Sequence, residues 1–117
     1  MANEYLDAIE KSIQQAKICI EAGNALKKLK DNREFNAIVL KGYFEDEAIR
    51  LVHLKADPNM QKQSMQEDII KQIDAIGAFG NYMTTVLFRA DMSLKSIEAD
   101  EQAKEDILFD DVTGVTE

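Results

Sequence analysis

One apolar repeat constrains this chain more than anything else in it. Ile69, Ile73, Ile76, Gly80, Met83, Leu87, Ala90, Leu94 and Ile97 follow one another at alternating intervals of four and three residues. That spacing returns to one side of an α-helix, and it fits no strand, whose side chains alternate with a period of two. No proline interrupts the stretch from Met65 to Leu108, so the repeat predicts one helix about 66 Å long at ~1.5 Å per residue. Ser64 and Glu67 precede it with the spacing of a capping box, in which each side chain bonds the other's backbone amide.

A helix of that length needs partners. Leu6, Ile9, Ile13, Ala16, Ile20 and Gly23 repeat the same intervals, widened by Tyr5, Cys19, Ala22 and Leu26. They predict a first helix from Asn3, a candidate cap, to Leu29 or Lys30, about 40 Å long. Lys27, Lys28 and Lys30 then stand where a helix C-terminus favours cations, and Asp31-Asn32 breaks the pattern. Two short helices are expected next. One covers residues 33–41, with Phe35, Ile38 and Val39 inward and Gly42 closing it in a left-handed conformation. The other is opened by Glu45, Asp46 and Glu47, carries Ala48, Leu51, Val52 and Lys55 inward, and stops at Asp57-Pro58, because proline disfavours a helical residue before it. The expected fold is all-α: a small bundle of four helices, two long and two short, with an extended C-terminal helix and an acidic tail.

In that arrangement the first helix packs antiparallel on the start of the long one, and the short helices close the side. The last four or five turns then project, exposing Leu87, Phe88, Leu94 and Ile97 as a seam for self-association or docking. The alternative is a break near Asp91-Met92-Ser93 that folds the remainder back. Gly77 and Gly80 imply either close backbone approach, against Ala22-Gly23 of the first helix, or a bend at Gly77.

Charge divides the chain differently. Of 117 residues, 22 are acidic and 14 basic, for a net −8. Residues 98–117 hold eight acids and one base, Lys104, whereas residues 1–97 hold 14 acids and 13 bases. The expected division is a nearly neutral helical body, 1–97, and an acidic helix end and tail, 98–117. An acidic chain is a poor direct ligand for nucleic acid or an anionic membrane. The tail also carries apolar residues. Leu108, Phe109, Asp110, Asp111, Val112 and Val115 make it a candidate recognition segment, and a frayed terminus is the plain alternative.

No chemical constellation emerges. One cysteine excludes an internal disulfide framework and a Cys-rich zinc site. Cys19 and His53 could form a dyad only by meeting in space, and Cys19 lies beside an apolar seam, where a free thiol acts as a small hydrophobe. A bundle di-metal site needs Glu three residues before His, and position 50 is Arg50. Glycine-rich phosphate loops are absent. The reading is a non-enzyme with no catalytic, cofactor-binding or metal residues. No run approaches the ~20 apolar residues of a membrane span, and the start lacks the pattern of a secretory leader, so a cytosolic protein, or one assembled from the cytosol, is expected.

The run F-N-A-I-V-L-K-G-Y-F-E-D-E-A-I-R-L-V-H-L-K-A-D-P from Phe35 to Pro58, followed by D-I-I-K-Q-I-D-A-I-G-A-F-G-N-Y-M from Asp68 to Met83, resembles small helical proteins of tailed bacteriophages encoded among head and portal genes. The resemblance covers roughly residues 20–97 and carries no catalytic residues. It implies a non-enzymatic virion or virion-assembly protein, in the virion or the bacterial host cytoplasm. Such a protein would associate with itself as a dimer or higher oligomer and dock on portal, capsid or connector components. The competing expectation is a phage-encoded inhibitor that binds a host enzyme through an acidic surface.

Overall fold

The computed structural model describes the backbone of residues 2–113 and the side chains of residues 3–110. Among the described residues every regular element is helical. There are three helices: α1, Ala2–Lys30; α2, residues 33–56; and α3, Gln63–Thr113. They form two compact units, residues 1–24 with 86–117 and residues 25–85, so α1 and α3 each contribute to both.

The expected pair of short helices is one helix, α2. Asn32 caps it, accepting a hydrogen bond from the Phe35 backbone N–H at 2.8 Å. Gly42 does not end it. It lies inside a π-helical segment, Asn36–Glu47, that joins the α-helical turns Arg33–Phe35 and Ala48–Ala56. A Cβ at Gly42 would stand 3.0 Å from the carbonyl oxygen of Ala37, five residues back, which is the residue interval that a π-helix brings together. Glycine is thus used here for space. Glu45, Asp46 and Glu47 consequently open no helix: Asp46 pairs with Lys41 at 3.3 Å and Glu47 with Arg50. Asp57-Pro58 does stop α2, with Asp57 extended and its side chain accepting from Asn59 N–H at 2.8 Å. The α2 end is also closed by two glutamines. Gln61 donates to the carbonyls of Asp57 and Lys55, and Gln66 to those of Met60 and Lys55.

Helix α3 begins at Gln63, so Ser64 sits within the first turn and is not the cap. In the 25–85 unit its first turns pack on α2. Leu51, Ile69 and Ile76 form the buried centre, with Tyr43, Phe44, Ala48, Leu54, Met60 and Ile73 packed around it. Tyr43 and Phe44 are consecutive, yet both rings reach Phe79, with centroids 6.1 and 5.6 Å away. Wider winding turns the chain somewhat less per residue, which brings neighbouring side chains in the π segment closer to one side. Gly80 leaves room for the nearer ring, since a Cβ there would lie 3.4 Å from Phe44 Cε1.

In the other unit, α1 pairs antiparallel with the end of α3. Gly23 faces Ala90, Ser12 donates to Asp100 at 2.6 Å, and Glu10 pairs with Lys104. Falling numbers on α1 thus meet rising numbers on α3. This overturns the expected projection of the last turns, and also a break at Asp91-Met92-Ser93, which is helical throughout. Close approach occurs at Gly23, as expected, but against Ala90 and Val86 and not against Gly77 or Gly80. A Cβ on Gly23 would overlap that of Ala90.

Gly77 has open space around it and an ordinary backbone conformation within α3. Its alanine variant should therefore be more stable by about 0.5–1 kcal/mol, measured by urea denaturation, because alanine narrows the unfolded ensemble and suits a helix.

Candidate functional site

Among the described residues no His, Cys, Asp and Glu side chains gather in threes to hold a metal ion. Cys19 is half-buried on α1, and His53 is exposed on α2. What the structure offers as candidate sites are surfaces, one in each unit.

The unit of residues 1–24 and 86–117 holds most of the residues expected to meet partners. Towards α1, α3 presents Val86, Ala90, Ser93, Ile97, Asp100, Lys104 and Ile107, all buried or half-buried. The seam thus passes through Ser93 and not Leu94. Small residues at the Gly23–Ala90 approach draw the helices together, and the larger leucines are displaced to the flank. Leu87 is half-buried there, Leu94 is 50% exposed and Leu108 44%. Ile97 is half-buried in the seam. Phe88 and Phe109 are exposed, as is Asp110. Val115 and the side chains of Asp111 and Val112 lie outside the described residues.

Beyond Ile97 polar residues enter the seam, and Asp100 and Lys104 find their partners on α1. Residues 98–113 continue α3 unbroken, so acids assigned to a tail stand largely on helix. The charge division is sharper in space than along the chain. Residues 25–85 contain nine of the 22 acids and nine of the 14 bases, a net charge of zero. The other unit holds the remaining 13 acids and five bases, and with them the whole net −8.

The surface of the 25–85 unit was not anticipated. Beside the inward line Ile69, Ile73, Ile76, Gly80 and Met83, α3 carries a second line at intervals of four and three: Ala75, Phe79 and Tyr82. Phe79 is 44% exposed and Tyr82 63%. Between α2 and α3 a small cleft is lined by Tyr43, Glu47, Gln72 and Ala75, with Leu51 and Ile76 at its floor. The signal for this face was present in the spacing of Phe79 and Tyr82, but the stronger isoleucine line beside it masked it.

Comparison with known proteins yields no match to a family model, a curated protein or a solved structure. No described helix is long and apolar enough to cross a membrane.

Proposed function

We propose that this chain is a non-enzymatic protein of a bacteriophage virion or of virion assembly, which associates with itself and docks on portal, capsid or connector components. The observation that carries the reading is an inventory of apolar side chains. Among the described residues, fifteen large apolar side chains are exposed while eight hydrophobic residues are buried. Scattered exposed apolar residues are normal in a monomer, but an excess over the core favours a chain that completes its burial against other chains. The resemblance of residues 20–97 to head- and portal-associated phage proteins supplies the setting. The acidic unit then serves docking, since a net charge of −8 confined to one unit is suited to a basic partner surface.

Mass spectrometry of purified particles and of assembly intermediates tests this. The chain should appear in multiple copies per particle or intermediate. Its absence from both would refute the virion role.

One observation favours a second reading, a phage inhibitor of a host enzyme. The acids are carried by a folded helical pair, to which α1 adds Glu4, Asp7, Glu10 and Glu21. An inhibitor that covers a basic site needs such an ordered acidic surface. Retention of one host enzyme at stoichiometric amounts, with loss of its activity, is the result that would favour it.

A further inference from the structure

The proposed self-association leaves open which surface meets the second copy. We infer that it is the α2/α3 face of the 25–85 unit, centred on Tyr43, Gln72, Ala75, Phe79 and Tyr82, and that two copies join there as a symmetric dimer. This rests on the self-association reading and assigns it a place.

Charge favours this face. Copies meeting through the unit of residues 1–24 and 86–117 would bring two net charges of −8 together, whereas the 25–85 unit is neutral, with nine acids and nine bases. Like charges juxtaposed across an interface oppose association, and a neutral face does not. The cleft at its centre is lined by one charged side chain, Glu47, which is held by Arg50.

The area is also sufficient. A face two helices wide, running the length of α2 from residue 33 to residue 56, measures about 36 Å by about 20 Å, or roughly 700 Å², close to the ~800 Å² that each partner contributes to a stable interface. Its exposed anchors are aromatic, as is common at the energetic centres of interfaces. Phe79 is also braced by Tyr43 and Phe44, so its ring is ordered before any partner arrives.

The shape suits a second copy as well. Helices α2 and α3 form an antiparallel hairpin, with Leu51 and Ile76 at the floor of the cleft between them. Two hairpins that apply such faces to each other form a four-helix bundle, and a two-fold axis makes one patch serve both copies.

Sedimentation of the full chain over a range of concentrations tests the inference. Ala75 and Tyr82 are both exposed on α3, so Ala75→Glu with Tyr82→Glu should preserve helicity by circular dichroism. That double variant should raise the dimer dissociation constant on the order of 100-fold or more. Phe88→Glu with Leu94→Glu, in the acidic unit, should leave it within a few-fold of wild type. Raising the salt concentration should change the wild-type constant little, since the apposed units carry no net charge.

A wild-type chain that remains monomeric throughout would remove the self-association reading itself. A wild-type oligomer unaffected by the Ala75/Tyr82 pair, or dissociated by the Phe88/Leu94 pair, would overturn the assigned face alone. Should the Ala75/Tyr82 variant lose its helicity, Ala75→Cys in a Cys19→Ser background gives the same decision under mild oxidation. Intermolecular disulfide formation through position 75, at the rate of an associated pair, supports the face. Failure to cross-link in a chain that still sediments as an oligomer overturns it.

Discussion

Truncation of Leu51 to alanine should cost about 2–5 kcal/mol of stability. Leu51 is wholly buried, at 0% exposure, and its neighbours Ile69 and Ile76 retain only 1% and 8%. Removing its branched end leaves a cavity that the surrounding helices can only partly close. The half-buried residues around it come from both helices, Tyr43, Phe44, Ala48 and Leu54 from α2 and Ile73 from α3. Val52, the next residue on the same helix, is 61% exposed and provides the comparison. Its alanine variant should stay within about 0.5 kcal/mol of wild type. Urea denaturation followed by far-ultraviolet circular dichroism measures both. Equal losses at positions 51 and 52 would refute this packing of α2.

Alanine at Gly23 should destabilise the protein by about 1–3 kcal/mol, against the helix-propensity gain of ~1 kcal/mol that the same change brings at an open site. The reason is the overlap of the added methyl with Ala90 Cβ, where α1 and α3 approach closely. Only movement of one helix can relieve it, because both groups are fixed to backbone. The companion change Ala90→Gly removes the obstructing methyl, so the double variant should recover much of the loss. A double-mutant cycle would then give a favourable coupling between positions 23 and 90. Additive losses would show that the two residues do not meet. Taken with the stabilisation expected at Gly77, two helical glycines thus respond with opposite sign, decided by what stands beside each one.

The helical class, the C-terminal end of α1 and the stop at Asp57-Pro58 were legible because they rest on local physics: apolar periodicity, cations in a last turn, and the steric demand of proline. The merger of two short helices into α2 was not. Gly42 is a good helix terminator by propensity, and a glycine that makes room for a carbonyl in a wide turn looks identical in sequence. The pairing of helices was harder still. The intervals of four and three identify an apolar side of α3 but do not say which helix covers which stretch of it. Ser93 and Asp100 also stand on the side facing α1, and being polar they left no trace in an apolar repeat. The same ambiguity extends to the candidate surfaces. Leu94 was counted into the seam by its interval from Ala90, whereas the packing of small residues at Gly23 and Ala90 shifts the seam by one position.

The two units differ in how much chain must exist before either can form. Residues 25–85 are contiguous, and their packing needs nothing synthesised later. The other unit is held by ties between residues 88 and 94 positions apart, Ser12 with Asp100 and Glu10 with Lys104. During translation, therefore, residues 2–24 must wait without their partner until residues 86–113 emerge, by which time the neutral hairpin is already available. The order of synthesis gives the apolar side of α1 a longer period of exposure than that of α2.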